Sequence, residues 1–212
     1  MTAQTHWQAW HEPYADETSP LSRRLRLVQQ HIASWLEQRS DERLTVVSVC
    51  AGQGRDLIGV LASRSDAQRV RATLLENDAG NVAAAQAAAA QAGLSTIVIR
   101  QADAGRLSSY AGMVPADLLL MVGVFGNISD ADVERTLAAL PQVCAEGATV
   151  IWTRTRREPD LTPAVREWFR AAGFVEQAFH APDDVRFSVG VHRFASAPRP
   201  LEPSGTLFTF LR

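Results

Sequence analysis

The chain has 212 residues, of which 46% are hydrophobic and 21% charged, and its net charge is −2. A chain of this length buries roughly 70% of its unfolded-state surface and needs no disulfide or metal staple, so a mainly disordered protein is excluded. No basic excess is present to neutralise phosphates, which argues against an electrostatic nucleic-acid binder.

Ser19-Pro20 has the form of an N-cap followed by the first residue of a helix. Leu21, Leu25, Val28, Ile32, Trp35 and Leu36 follow at spacings that make one buried face, ended by Ser40-Asp41. Leu44 to Cys50 is an almost continuous apolar run, as expected of a strand covered on both sides. Ala51-Gly52-Gln53-Gly54 is a tight turn, and a helix is predicted from about Arg55 to Ser63. The pattern then repeats. Val70 to Leu75 predicts a strand, Ala79 to Ala92 an alanine-rich helix ended by Gly93, Thr96 to Ile99 a short strand, and Ala116 to Val122 a buried one. Ser129 and Asp132 form a capping-box pair ahead of Val133, Leu137 and Leu140. Ala148 to Thr153 is the fifth strand. Thr162-Pro163 opens a helix that Gly173 ends, and Phe174 to Phe179 is the sixth strand. Phe187 to Phe194 is compatible with a strand or a short helix. Ala197 to Gly205 is loop, and Thr206 to Leu211 predicts a last, antiparallel strand.

Five strand–helix repeats predict an α/β fold: a Rossmann-like doubly wound sheet, mostly parallel, with an antiparallel C-terminal strand and helices on both faces. Ligands in such sheets lie beyond the carboxyl ends of the strands. The first strand end supplies Cys50, Ala51, Gly52 and Gly54, where glycines let a backbone approach a ligand. The second supplies Glu76, about 20 residues farther on, an acid able to accept hydrogen bonds from both vicinal hydroxyls of a ribose. The third supplies Asp103, a possible acceptor for an adenine amine, with the Ala104 N–H beside it. The fourth supplies the apolar loop Gly123-Val124-Phe125-Gly126-Asn127, expected to line a pocket.

On these residues the chain resembles the class I S-adenosylmethionine-dependent methyltransferases, in particular the small-molecule type common in bacteria. The resemblance runs from about Leu44 to Phe179. The family's first motif is an acid two residues before Gly-x-Gly-x-Gly; here Ser48 stands in the acidic position and Cys50 in that of the first glycine. The resemblance implies S-adenosylmethionine as cofactor, held by Cys50, Ala51, Gly52, Gly54, Asp56, Glu76, Asn77, Asp103, Ala104, Val122, Gly123 and Asn127, with Arg24 (or Arg23) meeting its carboxylate. It also implies a small-molecule acceptor and a division into an N-terminal arm and capping helix, 1–40, and a cofactor-binding domain, 41–212.

Candidates for a general base are His11, Tyr14, His180 and His192, and Trp7, Trp10, His11 and Tyr14 form an aromatic cluster suited to capping a pocket. Arg154, Arg156 and Arg157 would meet an acidic acceptor. A binding protein that has lost transfer chemistry is the first alternative, motivated by Ser48 and Cys50. A nicotinamide oxidoreductase is the second; Leu57, where its fingerprint needs a third glycine, argues against it. All 21 basic residues are arginine, so no lysine Schiff base can form. Cys50 and Cys144 match no metal spacing and predict free thiols in a reducing cytoplasm. No metal and no membrane contact are expected. Met1 to Tyr14 has no apolar signal core, and Ala116 to Ile128, the longest nearly apolar run, is too short to span a bilayer.

Overall fold

The computed structural model describes residue 16 and residues 18–211. Helix α1 is Pro20–Glu37, capped by Ser19, whose hydroxyl accepts the Ser22 N–H at 3.1 Å. It is followed by β1 (Leu44–Val49), α2 (Arg55–Leu61), β2 (Val70–Glu76), α3 (Ala79–Gln91) and β3 (Ile97–Gln101). Then come β4 (Ala116–Met121), α4 (Asp130–Ala139), β5 (Cys144–Thr155), α5 (Thr162–Ala171), β6 (Phe174–His180) and β7 (Phe187–Phe194).

The strands form one sheet of seven in the order β3-β2-β1-β4-β5-β7-β6. β7 runs antiparallel to both β5 and β6, and the other pairs are parallel. The chain winds outward from β1 to β3, then crosses back to β4, which puts the switch point between β1 and β4. Side chains alternate across the central strands, so two cores form. Val46, Leu74, Leu118 and Ile151 pack under α1, α2 and α3. Val47, Leu119, Val150 and Trp152 pack under α4 and α5. Burial on both faces is why β1 and β4 are mainly apolar, with Thr45, Ser48 and Asp117 as the polar exceptions.

The alternative left open for Phe187–Phe194 resolves as a strand, which runs antiparallel to both its neighbours. One expectation is corrected. The segment Thr206 to Leu211 is not in the sheet; among its residues only Thr206 and Phe210 make β-bridges, to Arg106 and Ile128. It is a strap laid along one edge of the site. Leu207 N–H donates to Gly105 O at 2.7 Å, and Leu211 N–H to Asn127 O at 3.0 Å. The capping box is half formed: Ser129 Oγ accepts the Asp132 N–H, but the Asp132 carboxylate turns to the strap and accepts the Thr209 N–H at 3.0 Å.

Candidate functional site

A cavity of about 390 Å³ opens at the carboxyl ends of β1, β2 and β4, beside the loop after β3. Its size suits a small-molecule ligand or cofactor. A smaller cavity of about 70 Å³ adjoins it, sharing Cys50, Gly52 and Val122 as a common wall.

The turn after β1 is held in the left-handed region three times, at Cys50 (φ 52°), Gly52 (55°) and Gly54 (69°). An L-residue in that conformation costs about 1–2 kcal/mol, so Cys50 carries strain that a glycine there would not. Cys50 is half-buried near Glu76 and Asp103, and loss of hydration first, then those two carboxylates, push its thiol pKa up. Cys50 is therefore a neutral wall and not a nucleophile. Gly54 does not line the cavity. A Cβ on it would lie 2.7 Å from both Ile58 and Leu74, so its task is to let α2 approach the sheet.

Glu76, at the end of β2, ties the neighbouring loops together. Its Oε2 accepts the Gly52 N–H at 2.7 Å. Its Oε1 accepts the N–H groups of Asn77 at 2.9 Å and Asp78 at 2.8 Å. An ionised carboxylate offers about four acceptor positions, so Oε1 is filled and Oε2 keeps one. The ribose hydroxyls expected at Glu76 would therefore meet a carboxylate that already accepts three backbone N–H groups.

Asp103 and Ala104 lie in the cavity wall after β3; the Asp103 Oδ1 accepts the Gly105 N–H at 2.9 Å, and its Oδ2 is 3.4 Å from Arg106 Nε. Val122, Gly123 and Asn127 line the wall after β4, and Asn127 Nδ2 closes that loop by donating to Gly123 O at 2.7 Å. Val124 and Phe125, however, are buried in the core, so the apolar character of this loop reflects packing as much as the pocket.

The smaller cavity brings together Arg24, Ala51, Asp56 and the buried Ser48. Asp56 is itself buried, and loss of hydration raises its pKa. Its own N–H, that of Leu57 and the charge of Arg24 act the other way. Arg23 is directed elsewhere, paired with Asp184 at 2.6 Å.

Other candidates are not brought into the cavity. His180 stands against His31, ring centroids 4.9 Å apart. His192 is buried under Phe169. Arg154 bonds Phe125 O and Asp130, and Arg156 bonds Pro182 O and Val185 O. Trp7, Trp10, His11 and Tyr14 lie outside the described residues. Among the described residues, no group of His, Cys, Asp or Glu is arranged to hold a metal, and no helix is long and apolar enough to cross a membrane.

The sequence reading missed Asp78, Ala79, Asn81 and Ala102, and Phe210 from the strap, all of which line the main cavity. Asp78, Ala79 and Asn81 follow Glu76 closely and belong to the same strand-to-helix turn, a proximity that could have flagged them. Nothing local marks Phe210.

A family model described as "Putative methyltransferase" matches residues 22–167. No protein of curated function matches the chain in sequence. Among solved structures, magnesium protoporphyrin IX methyltransferase from Synechocystis PCC 6803 with bound SAM is 14% identical, with a TM-score of 0.67 over 91% of this chain and 92% of that one. The 1,6-didemethyltoxoflavin-N1-methyltransferase of Burkholderia thailandensis, with its substrate and S-adenosylhomocysteine bound, is 16% identical, with a TM-score of 0.67 over 90% of this chain and 84% of that one. The [4+2]-cyclase SpnF is 15% identical, with a TM-score of 0.58 over 79% of this chain and 82% of that one. At these identities the likeness establishes the fold, a Rossmann-like sheet that also serves a cyclase.

Proposed function

The chain belongs to this methyltransferase family, and from that premise we propose that it transfers a methyl group from S-adenosylmethionine to an O, N or S atom of a small-molecule acceptor. The observation that carries the reading is the main cavity: a left-handed turn at its base, a buried carboxylate from Glu76, and polar groups of Asp103 and Ala104 on the adjoining wall.

The cavity fits an adenosyl group on its own chemistry. Glu76 Oε2 has an acceptor position left for a ribose hydroxyl. Asn77 and Asp103 flank the sites for sugar and base, and Cys50, Ala104 and Val122 offer apolar surface. The methionine part would run over Ala51 and Gly52 into the smaller cavity. There Arg24 would meet its carboxylate, and Asp56 its ammonium. Asp56 would thus supply, from the first turn of α2, the negative charge that Ser48 lacks in the strand. Gly123 and Asn127 would shape the exit towards the acceptor.

When bound, the cofactor supplies an activated methyl on a sulfonium. The chain then has to align the acceptor behind that methyl and keep water out. None of the carboxylates around the cavity is needed for chemistry if the acceptor arrives deprotonated. Where a proton must be removed, His11 and Tyr14 are the proposed bases. A reducing, cytoplasmic setting is supported by Cys50 and Cys144, both free thiols.

Binding is tested by titration calorimetry with S-adenosylhomocysteine and, in parallel, with NAD. The expected result is binding of the first only. Glu76→Ala should weaken it by about 1.5–3 kcal/mol, the scale of a hydrogen bond to a charged group. Wild-type affinity in that variant would remove Glu76 from the site. Label transfer from methyl-labelled cofactor into a small-molecule extract tests turnover; binding without any transfer would leave a sensor.

A further inference from the structure

Asn81 is one of the described residues with a buried polar side-chain atom that the fold leaves without a hydrogen-bond partner, and it is the one that lines the main cavity. It sits in the first turn of α3, one turn past the Asp78 cap, and is 4% exposed. Its backbone N–H is used, donating to Asp78 Oδ1 at 2.8 Å. Its side-chain Oδ1 is buried and has no hydrogen-bond partner among the described residues. Leaving such a group unpaired is costly, and a helix interior offers many residues that would avoid the cost. Yet Asn81 lines the same cavity as Glu76.

Glu76 supplies the complementary half of the argument. With three backbone N–H groups on its carboxylate, it has one acceptor position to offer, while a ribose presents two vicinal hydroxyls. We propose that Asn81 is the second ribose-recognition group: one hydroxyl is taken by Glu76 Oε2 and its neighbour by the Asn81 carboxamide. This rests on the cofactor reading above and deepens it. A hydroxyl both donates and accepts, so it satisfies the carboxamide in either of its two orientations. The buried Oδ1 that the fold leaves unpaired is thereby given a role in ligand recognition.

The distinguishing variant is Asn81→Leu, close in size and without polar atoms. Titration calorimetry on the full chain compares S-adenosylhomocysteine with its 2′-deoxy and 3′-deoxy analogues. Asn81→Leu should bind S-adenosylhomocysteine about fivefold to tenfold more weakly than wild type. It should also lose the penalty that wild type shows for one of the two deoxy analogues while keeping the other, a coupling that a purely structural role cannot produce. Thermal unfolding without ligand gives a second readout. The variant should unfold at the same temperature as wild type or higher, because a buried unpaired amide has been removed.

If Asn81→Leu shows the full wild-type penalty for both analogues, or unfolds at a clearly lower temperature without ligand, the proposal is overturned and the cofactor reading stands. If wild type does not bind S-adenosylhomocysteine, the cofactor reading itself fails, and this proposal with it.

Discussion

Glu76, Asn81 and Asp56 are all polar and buried in or beside one pair of cavities, and Asn81 and Asp56 are placed at some cost to folding. That combination is expected where a site is built in advance for a ligand. Asp56 makes the point testable. Its pKa is raised mainly by burial. A carboxyl whose folded pKa lies above its unfolded value takes up a proton more readily when folded, so ionising it at neutral pH works against folding. Asp56→Asn should therefore raise the unfolding temperature of the ligand-free protein at pH 7 and lower its affinity for S-adenosylhomocysteine. Differential scanning fluorimetry with and without ligand separates the two effects; a lower unfolding temperature in the ligand-free variant would make Asp56 part of the scaffold instead. At this scale the sequence marked Glu76, Asp103 and the glycine turn well, because each stands directly at a strand end. Asn81 carries no such marker. Its meaning depends on which hydrogen bonds other groups have already taken.

Among the elements, the strap from Thr206 to Leu211 departs furthest from its expected place. Alternating residues gave it the pattern of a strand, but β7 already occupies the position beside β5. The strap instead joins the loops after β3 and β4, and Leu207 O accepts the Thr136 hydroxyl at 3.1 Å. Gly105 is what allows the approach, since a Cβ there would lie 2.2 Å from the Phe208 carbonyl oxygen. Gly105→Ala should push the strap outward at a cost of about 1–3 kcal/mol, typical of overpacking. Because Phe210 lines the cavity, the same change should weaken S-adenosylhomocysteine binding. Hydrogen exchange over residues 206–211 should speed up in the variant, and unchanged exchange with unchanged affinity would show that the strap does not depend on this contact. β7 illustrates the opposite difficulty. The periodicity of Phe187 to Phe194 does not decide between strand and short helix, and Gly190 stands inside the run. The structure shows that a Cβ there would lie 2.3 Å from the Trp152 ring, so the gap in the pattern is the space the indole fills.

The molecule as a whole is held at its β5–β7–β6 end by a polar network that runs from the buried Trp152 and His192 out to the exposed Glu176 and Arg166. Trp152 Nε1–H donates to His192 Nδ1 at 3.1 Å, and His192 stacks on Phe169 at 4.2 Å. Glu176, whose Oε2 lies 3.6 Å from His192 Nε2, is gripped by Arg166 at 2.6 and 2.8 Å. Burial, opposed by Glu176 and aided by Arg166, lowers the His192 pKa to about 4. A histidine depressed in this way keeps its proton off when folded and regains it when unfolded. Its contribution is complete above about pH 6.5 and declines as the pH falls towards about 4, by about 3 kcal/mol in all. Urea unfolding at pH 7 and pH 4.5 should show this loss in wild type, and His192→Asn should be less stable at pH 7 but lose less between the two. Equal losses in both proteins would count against the network. The sequence by itself determined the alternation of strands and helices, the sheet buried on both faces and the strand ends where the site lies, because hydrophobic period, caps and glycine turns are local properties. Tertiary structure alone decided that β7 enters between β5 and β6, that the strap runs along one edge of the cavity, and that Glu76, with three backbone N–H groups on it, lines the same cavity as Asn81, whose Oδ1 is unpaired. Those outcomes depend on which distant groups meet, and no local pattern encodes a meeting.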